Sequence, residues 1–180
     1  MLGGEEMLPV VIGGSPGCGK TTLCKVLADT EELGVHLETD YFFRFFANRI
    51  DPSTVESRLQ NEAAVSAYCA AARAYSDRGY SVFVDGVIGP WLLEEIAAGI
   101  GSFHYLILHA SLPVTLSRIT NRSAQPSAHP SLAARMHRQF EEAIDGYSAN
   151  VIQTNHLGID ELVAIVRKKI RSGDCRSTAP

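Results

Sequence analysis

The chain has 180 residues, of which 46% are hydrophobic and 20% charged, and its formal net charge is −4. This length and composition fit one globular domain with a core of its own. The acidic balance excludes a general attraction to nucleic acid or to anionic membranes, so any anion must be bound by local features.

The four cysteines show neither C-x-x-C pairing nor a partnered histidine spacing: Cys18, Cys24, Cys69 and Cys175. We therefore expect no disulfide framework and no structural zinc, which is typical of a reducing cytoplasm. The first residues carry no basic side chain, so we expect no secretory signal. The uncharged stretch Ile96–Ser117 is interrupted by glycine, histidine and proline, which favours a buried strand and helix over a membrane span.

An apolar run over Leu8–Ile12 predicts the first strand. The octet that follows, Gly14-Ser15-Pro16-Gly17-Cys18-Gly19-Lys20-Thr21, reads G-x-x-x-x-G-K-T and leads into a helical pattern. In such a strand–loop–helix unit, backbone N–H groups and the helix dipole hold phosphate oxygens. The octet and Thr22 therefore predict a nucleotide site, with Lys20 on the β- and γ-phosphates and the Thr21 hydroxyl on Mg²⁺.

Further strand-like runs alternate with helical patterns along the chain: Val35–Thr39, Ser81–Asp85, Phe103–His109 and Val151–Thr154. Alternation of this kind predicts a parallel sheet with helices on both faces, and the runs are apolar rather than alternating, as strands buried on two sides should be. The longest predicted helix follows Pro52, with Ser53 as its N-cap. Other helices are expected after Ser111, over about 132–144 and over about 159–171, before a tail at 172–180 that frays.

Two predicted strands are followed or ended by a carboxylate. Asp40 follows the second strand and Asp85 ends the third. Ligands bind at the carboxyl ends of strands in open α/β sheets, so Asp40 is a candidate general base and both are candidate Mg²⁺ ligands. The alternative for Asp40 is a cap of a helix that begins at Tyr41. Gly86 stands where motor ATPases carry a water-activating glutamate, which favours transfer over hydrolysis.

Three arginines are candidates for binding anions. Arg44 lies one turn beyond Asp40 and is either a clamp for an anionic acceptor or a surface charge. Arg118 and Arg122 lie four residues apart on one helical face that leads into a turn-rich segment, 121–131. An arginine-lined lid here would neutralise charge on a triphosphate and exclude water, whereas the alternative is solvated helix arginines.

These motifs, with Gln153-Thr154-Asn155-His156-Leu157 near the end, resemble the small P-loop kinases. The likeness is to gluconate kinase, shikimate kinase and chloramphenicol-phosphotransferase-like proteins. It implies a five-stranded parallel sheet of order 2-3-1-4-5, a core over about 7–171, a lid over about 121–131, and ATP with Mg²⁺. The resemblance also implies catalytic roles for Lys20, Asp40, Arg118 and Arg122, and places Thr154 and Arg122 near the nucleotide.

The sequence favours a kinase that transfers the γ-phosphate of ATP to a hydroxyl of a small molecule. One alternative is a nucleotide-dependent switch with little transfer, although the Asn-Lys-x-Asp motif of GTPases does not occur. A nucleic-acid end kinase is disfavoured by the negative net charge. We expect no nucleic-acid or membrane partner, and either a monomer or a homodimer.

Overall fold

One sheet organises the chain in this computed structural model, which describes residues 7–121 and 129–177. The strands are β1 (Val10–Gly13), β2 (Gly34–Glu38), β3 (Ser81–Asp85), β4 (Phe103–His109), β5 (Val151–Gln153) and β6 (Arg176–Ser177). The helices are α1 (Lys20–Asp29), α2 (Asp40–Arg44), α3 (Arg58–Ser76), α4 (Leu93–Ile100), α5 (Leu112–Thr120), α6 (Pro130–Ala143) and α7 (Ile159–Ser172). Short 3₁₀ turns cover Val55–Ser57, Pro90–Leu92 and Asp145–Tyr147.

The first five strands are parallel and lie in the order β2-β3-β1-β4-β5, which confirms the predicted topology. Alternate residues of β1 enter two different cores. Val10 and Ile12 pack with Leu23 of α1 and Val166 of α7, whereas Val11 belongs to the core formed with α3, α4 and α6. The sheet is therefore covered on both faces, and its carboxyl edge is left for a site.

As far as Ser177, the tail beyond α7 differs from the expectation that residues 172–180 fray; residues 178–180 lie outside the described residues. Cys175 is fully buried, its carbonyl accepts a hydrogen bond from the Tyr105 amide at 2.7 Å, and Arg176–Ser177 pairs antiparallel with Phe103 and His104. The tail can pair here because β5 is short and pairs with residues 107–109 of β4. The first half of the same β4 edge is thus covered by the tail as β6, because an unpaired strand edge is unfavourable in a core.

Two helix starts also differ from prediction. The amide and hydroxyl of Ser53 donate to Oδ1 of Asp51, at 2.9 and 2.7 Å, so Ser53 belongs to a local turn and does not cap the long helix. That helix, α3, begins at Arg58 after a 3₁₀ turn. α6 begins two residues before the predicted 132, with Nδ1 of His129 as its cap. Among the helices that the structure describes, none combines the length and apolar composition needed to cross a bilayer.

Candidate active site

The loop between β1 and α1 has a backbone that side chains would obstruct. Gly14 and Gly17 have φ values of 139° and 86°. A Cβ on Gly14 would lie 2.3 Å from the carbonyl oxygen of Leu108, and one on Gly17 would lie 2.7 Å from that of Thr115. Glycine is therefore required at both positions. Gly14 is the first fixed glycine of the phosphate-loop motif, whereas Gly17 stands at one of its variable positions.

The buried polar groups of this loop fit a polyphosphate. α1 begins at Lys20, so its positive end faces the loop. The Lys20 side chain is 8% exposed, and its ammonium donates to the Ser15 carbonyl at 3.0 Å. The hydroxyl oxygen of Ser15 is buried and has no hydrogen-bond partner among the described residues. A phosphate oxygen in the loop would supply a partner to both groups.

Thr21 and Asp85 meet at the end of the loop. The Thr21 hydroxyl donates to Oδ2 of Asp85 at 2.7 Å, and Asp85 is 1% exposed. On the other side, Nε2 of His36 lies 2.5 Å from Oδ1 of the same carboxylate. Burial and the Asp85 charge raise the pKa of the neighbouring Cys24 thiol well above its ordinary value. Adjacent hydroxyl and carboxylate oxygens suit Mg²⁺, so Thr21 and Asp85, two of the three residues predicted for this ion, are brought together.

Further carboxylates from the end of β2 lie beside Asp85. Glu38 is in register with Asp85 across the β2–β3 pair. Partial burial, followed by the charges of Asp85 and Asp40, raises the pKa of Glu38. Glu38 is therefore repelled by both aspartates at the edge of the phosphate loop, and a divalent cation would relieve that repulsion. Glu38 and His36 are the residues at this edge that the sequence analysis did not assign to the site.

Asp40 is exposed and is the first residue of α2. The alternative role as a helix cap is wrong, because Thr39 holds the cap position and makes no side-chain capping bond among the described residues. The Thr39 amide donates to the Asp85 carbonyl at 2.9 Å, which ties the start of α2 to the end of β3. The exposed Asp40 carboxylate accepts no hydrogen bond from the described residues, so it can take another partner at the sheet edge.

Arg44, on the last turn of α2, lies over the Tyr41 ring with Cζ 4.4 Å from the ring centroid. The positive charge of Arg44 acts on Glu38: it lowers the pKa of that carboxyl, whereas the charges of Asp85 and Asp40 raise it. Arg44 is exposed. Both readings of the sequence, an anion clamp and a surface charge, are compatible with this position.

A cleft of about 430 Å³ continues from the phosphate loop towards the segment between β5 and α7. Its lining residues are Gly17, Cys18, Gly19, Thr22, Ser117, Arg118, Asn121, Thr154, Leu157, Ile159 and Leu162. One end is polar and close to the loop, and the other is formed by aliphatic side chains. Such a cleft has the size and the mixed lining of a small-ligand site.

Arg118 and Thr154 join this cleft to the phosphate loop. The Arg118 guanidinium donates to the Thr154 carbonyl at 2.7 Å and to the Cys18 carbonyl at 3.5 Å. The Thr154 hydroxyl donates to the Cys18 carbonyl at 3.2 Å. Arg118 therefore holds the β5–α7 segment against the loop in this structure, and its predicted catalytic role stays a prediction. Arg122 and residues 122–128 of the predicted lid lie outside the described residues.

Several solved structures share the fold, whereas no protein-family model and no curated protein matches the sequence. A sugar kinase from Janibacter sp. HTCC2649 has 19% identity, with 92% of this chain and 95% of that chain covered, at a TM-score of 0.67. A gluconokinase from Sinorhizobium meliloti 1021 has 14% identity, with 94% of each chain covered, at a TM-score of 0.61. A chain of the Pnkp1/Rnl/Hen1 RNA repair complex has 16% identity, with 82% and 48% covered, at a TM-score of 0.63. The fold is P-loop kinase-like.

Proposed function

We propose that this protein is an ATP- and Mg²⁺-dependent phosphotransferase that moves the γ-phosphate to a hydroxyl of a small-molecule acceptor. The observation that carries the proposal is the meeting of Thr21, Asp85 and Glu38 with the exposed Asp40 at the rim of the phosphate loop. A loop for polyphosphate, oxygen ligands for a cation and a free carboxylate are the parts that phosphoryl transfer needs.

The nucleotide would bind along the loop and the adjoining cleft. Its phosphates would accept hydrogen bonds from the backbone amides of residues 14–21 and from Lys20. The base would lie against Leu157 and Ile159, next to Thr154, which line the far end of the cleft. Because these side chains are aliphatic, they offer an apolar surface for the base and few base-specific hydrogen bonds. The proposed preference for ATP over GTP therefore rests on the absence of the guanine-recognition motif from the sequence.

Thr21 and Asp85 would hold Mg²⁺, with Asp40 as a further oxygen ligand. Bound Mg²⁺ supplies charge neutralisation on the β- and γ-phosphate oxygens in this class of reaction. Glu38 adds negative charge beside these ligands. Its pKa is raised by partial burial and then by the charges of Asp85 and Asp40, and an ion would offset that repulsion. The chain therefore offers hard oxygen donors where a triphosphate would end.

Asp40 is proposed to orient the acceptor hydroxyl and to take its proton as the phosphoryl group is transferred. Exposure of Asp40 leaves room for an acceptor, and Arg44 on the same short helix can pair with an anionic group of that acceptor. Lys20, with Arg118 or Arg122, would stabilise the charge on the transferred group. Catalysis of this type rests on positioning and electrostatics, without a covalent enzyme intermediate.

The test is acceptor-dependent release of ADP. Purified protein with MgATP would be assayed against a panel of sugars, sugar acids, other hydroxyl metabolites, hydroxyl-bearing antibiotics and 5′-hydroxyl oligonucleotides, with ³¹P NMR of the products. We expect one small-molecule class to accept phosphate and Lys20→Ala to abolish the transfer. Tight MgATP binding without transfer to any acceptor would favour the nucleotide switch instead. Phosphorylation of the oligonucleotide alone would replace the small-molecule acceptor with a nucleic-acid end.

A further inference from the structure

A second group of metal-ligand side chains lies between the carboxyl end of β4 and α6. It consists of His109, the last residue of β4, with His137 and Glu141, which lie one turn apart on α6. One donor atom from each residue lies within 4.8 Å of the other two. None of the three belongs to the phosphate loop, to the carboxylates at β2 and β3 or to the lining of the cleft.

Two ring nitrogens of this cluster have no hydrogen-bond partner in the part of the chain that the structure describes. His109 is 9% exposed and His137 2% exposed. Nε2 of His109 and Nδ1 of His137 are buried without a hydrogen-bond partner among the described residues. An ion pair of protonated His137 with Glu141, whose Oε2 lies 3.5 Å from Nδ1, would serve one nitrogen and leave the other unpaired. A single cation between them would serve both.

The opposite nitrogen of each ring fixes where the lone pair points. Nε2 of His137 lies 2.8 Å from the carbonyl oxygen of Ala110, which can only accept, so Nε2 carries a hydrogen and the neutral ring has its lone pair on Nδ1. Nδ1 of His109 lies 3.2 Å from Oε1 of Gln153, so Nδ1 donates and Nε2 is left as a ligand atom. Hydrogen bonds of this kind orient histidine ligands in zinc sites and set their tautomer.

We propose that Nε2 of His109, Nδ1 of His137 and Oε2 of Glu141 bind one Zn²⁺ ion, with a fourth position open to water. The 3.5 Å between the His137 and Glu141 atoms is close to the separation of about 3.4 Å that zinc–ligand bonds of about 2.1 Å give in a tetrahedron. Two imidazoles and one carboxylate favour Zn²⁺ over Mg²⁺, which prefers oxygen ligands and retains water. The Glu141 side chain is 53% exposed, so the ion can reach the site from solvent.

The ion would join the end of the sheet to α6. Apart from α5, which precedes it in the chain, α6 is held by buried side chains such as Phe140 in the core and by the hydrogen bond from His137 to the Ala110 carbonyl. An ion bound by His109 of β4 and by His137 and Glu141 of α6 would add a further connection between the sheet and the helix. Because the unfolded chain lacks this arrangement, Zn²⁺ binding is expected to raise the unfolding temperature.

The experiment measures Zn²⁺ affinity of the tag-free, chelator-treated full chain by competition with a chromogenic chelator. We expect one equivalent to bind, with affinity at least tenfold weaker in Glu141→Gln. Gln153→Ala, which removes the partner of the His109 ring, should weaken binding about 10- to 100-fold. Gln153→Glu should restore or strengthen it, because a carboxylate can only accept. Glu142→Gln, the exposed next residue of α6, is the matched control and should bind as the parent does.

Three results would overturn the proposal. One is a folded parent protein that takes up no stoichiometric Zn²⁺, and another is unchanged affinity in both Glu141→Gln and Gln153→Ala. The third concerns Cys24, His36 and Asp85, whose donor atoms also lie within 4.8 Å of one another. A thiolate-to-cobalt absorption band after Co²⁺ replacement would place the ion there. All variants are compared by metal-free thermal denaturation, and MgATP is expected neither to compete with Zn²⁺ nor to be required for it.

Discussion

The imidazole of His36 lies against the carboxylate of Asp85, with Nε2 2.5 Å from Oδ1. His36 comes from β2 and Asp85 from the end of the neighbouring strand β3. The second carboxylate oxygen is engaged by the Thr21 hydroxyl at 2.7 Å. The carboxylate is therefore oriented from two sides, and one oxygen is turned towards Thr21 in the first turn of the phosphate-binding helix.

This arrangement predicts that His36 positions Asp85 for Mg²⁺. In His36→Ala the carboxylate would lose one of its two partners, and the Mg²⁺ concentration that half-activates phosphoryl transfer should rise about 10- to 100-fold. The KM for ATP at saturating Mg²⁺ should change little. Exchange of exposed Glu32, shortly before β2, for alanine is the control. An unaltered Mg²⁺ dependence in His36→Ala would show that Thr21 alone orients the carboxylate.

Glu38 predicts a dependence of stability on pH. Its pKa is raised from 4.5 by partial burial and by Asp85 and Asp40. A carboxyl group with a raised folded-state pKa binds protons more tightly when folded, so its ionisation lowers the free energy of unfolding at neutral pH. Glu38→Gln should therefore be more stable than the parent at pH 7 without Mg²⁺, and the difference should close as the pH falls through the raised pKa towards 4.5. Urea denaturation over a pH series measures it; an equal gap at all pH values would contradict the repulsion.

Lys20 is predicted to act on the phosphates and to be dispensable for folding. Its ammonium contacts the Ser15 carbonyl at 3.0 Å and Cys18 Sγ at 3.8 Å, both within the loop itself. Lys20→Ala should therefore leave the unfolding temperature nearly unchanged and lower kcat about 10²- to 10³-fold or more, the usual cost of losing an electrostatic donor. Lys25→Ala, on the exposed side of the same helix, is the control. If the Lys20→Ala protein had the parent's rate, the proposed catalytic role of Lys20 in the phosphate loop would be wrong.

The Asp40→Asn variant is expected to retain nucleotide binding and to lose phosphoryl transfer. Because Asp40 is exposed at the start of α2, Asp40→Asn should change the free energy of unfolding by less than about 0.5 kcal/mol. Loss of a general base lowers transfer by about 10²- to 10⁴-fold. Calorimetric affinity for MgATP should stay within a few-fold of the parent's, so the loss would appear in kcat. A normal rate in this variant would end the assignment of Asp40 as base.

Much of the fold could be predicted from local patterns. The G-x-x-x-x-G-K-T octet is a contiguous motif, so the sequence alone identifies the phosphate loop. Mainly apolar runs located the five parallel strands to within about two residues. Predicted ends were least accurate where a side chain found a nearer partner, as Ser53 did with Asp51. Such competition between local hydrogen bonds is not resolved by sequence spacing.

The rest depends on tertiary contacts. His36 and Glu38 lie in an ordinary strand pattern, and their relation to Asp85 follows from the register of β2 on β3. His109 and His137 showed no ligand spacing in the sequence, because one ends a strand and the other lies in the middle of a later helix. Their unpartnered nitrogens become visible when β4 and α6 are packed together.

Gly17 and Gly19 offer a matched test of the phosphate loop's backbone. Both have positive φ, at 86° and 104°, so alanine at either position should cost about 1–2 kcal/mol for the left-handed conformation. A Cβ at 17 would also lie 2.7 Å from the Thr115 carbonyl and 3.0 Å from Ile119 Cγ1, whereas one at 19 meets no described atom within 4 Å.

Overpacking of this kind costs a further ~1–3 kcal/mol, because α5 must move or the loop must open. Gly17→Ala should therefore be the less stable variant by that amount when the two are compared by urea denaturation without nucleotide. Displacement of α5 would also shift Arg118, so MgATP affinity should fall further in Gly17→Ala than in Gly19→Ala. Equal stability of the two variants would mean that the loop and α5 are not in the close contact described.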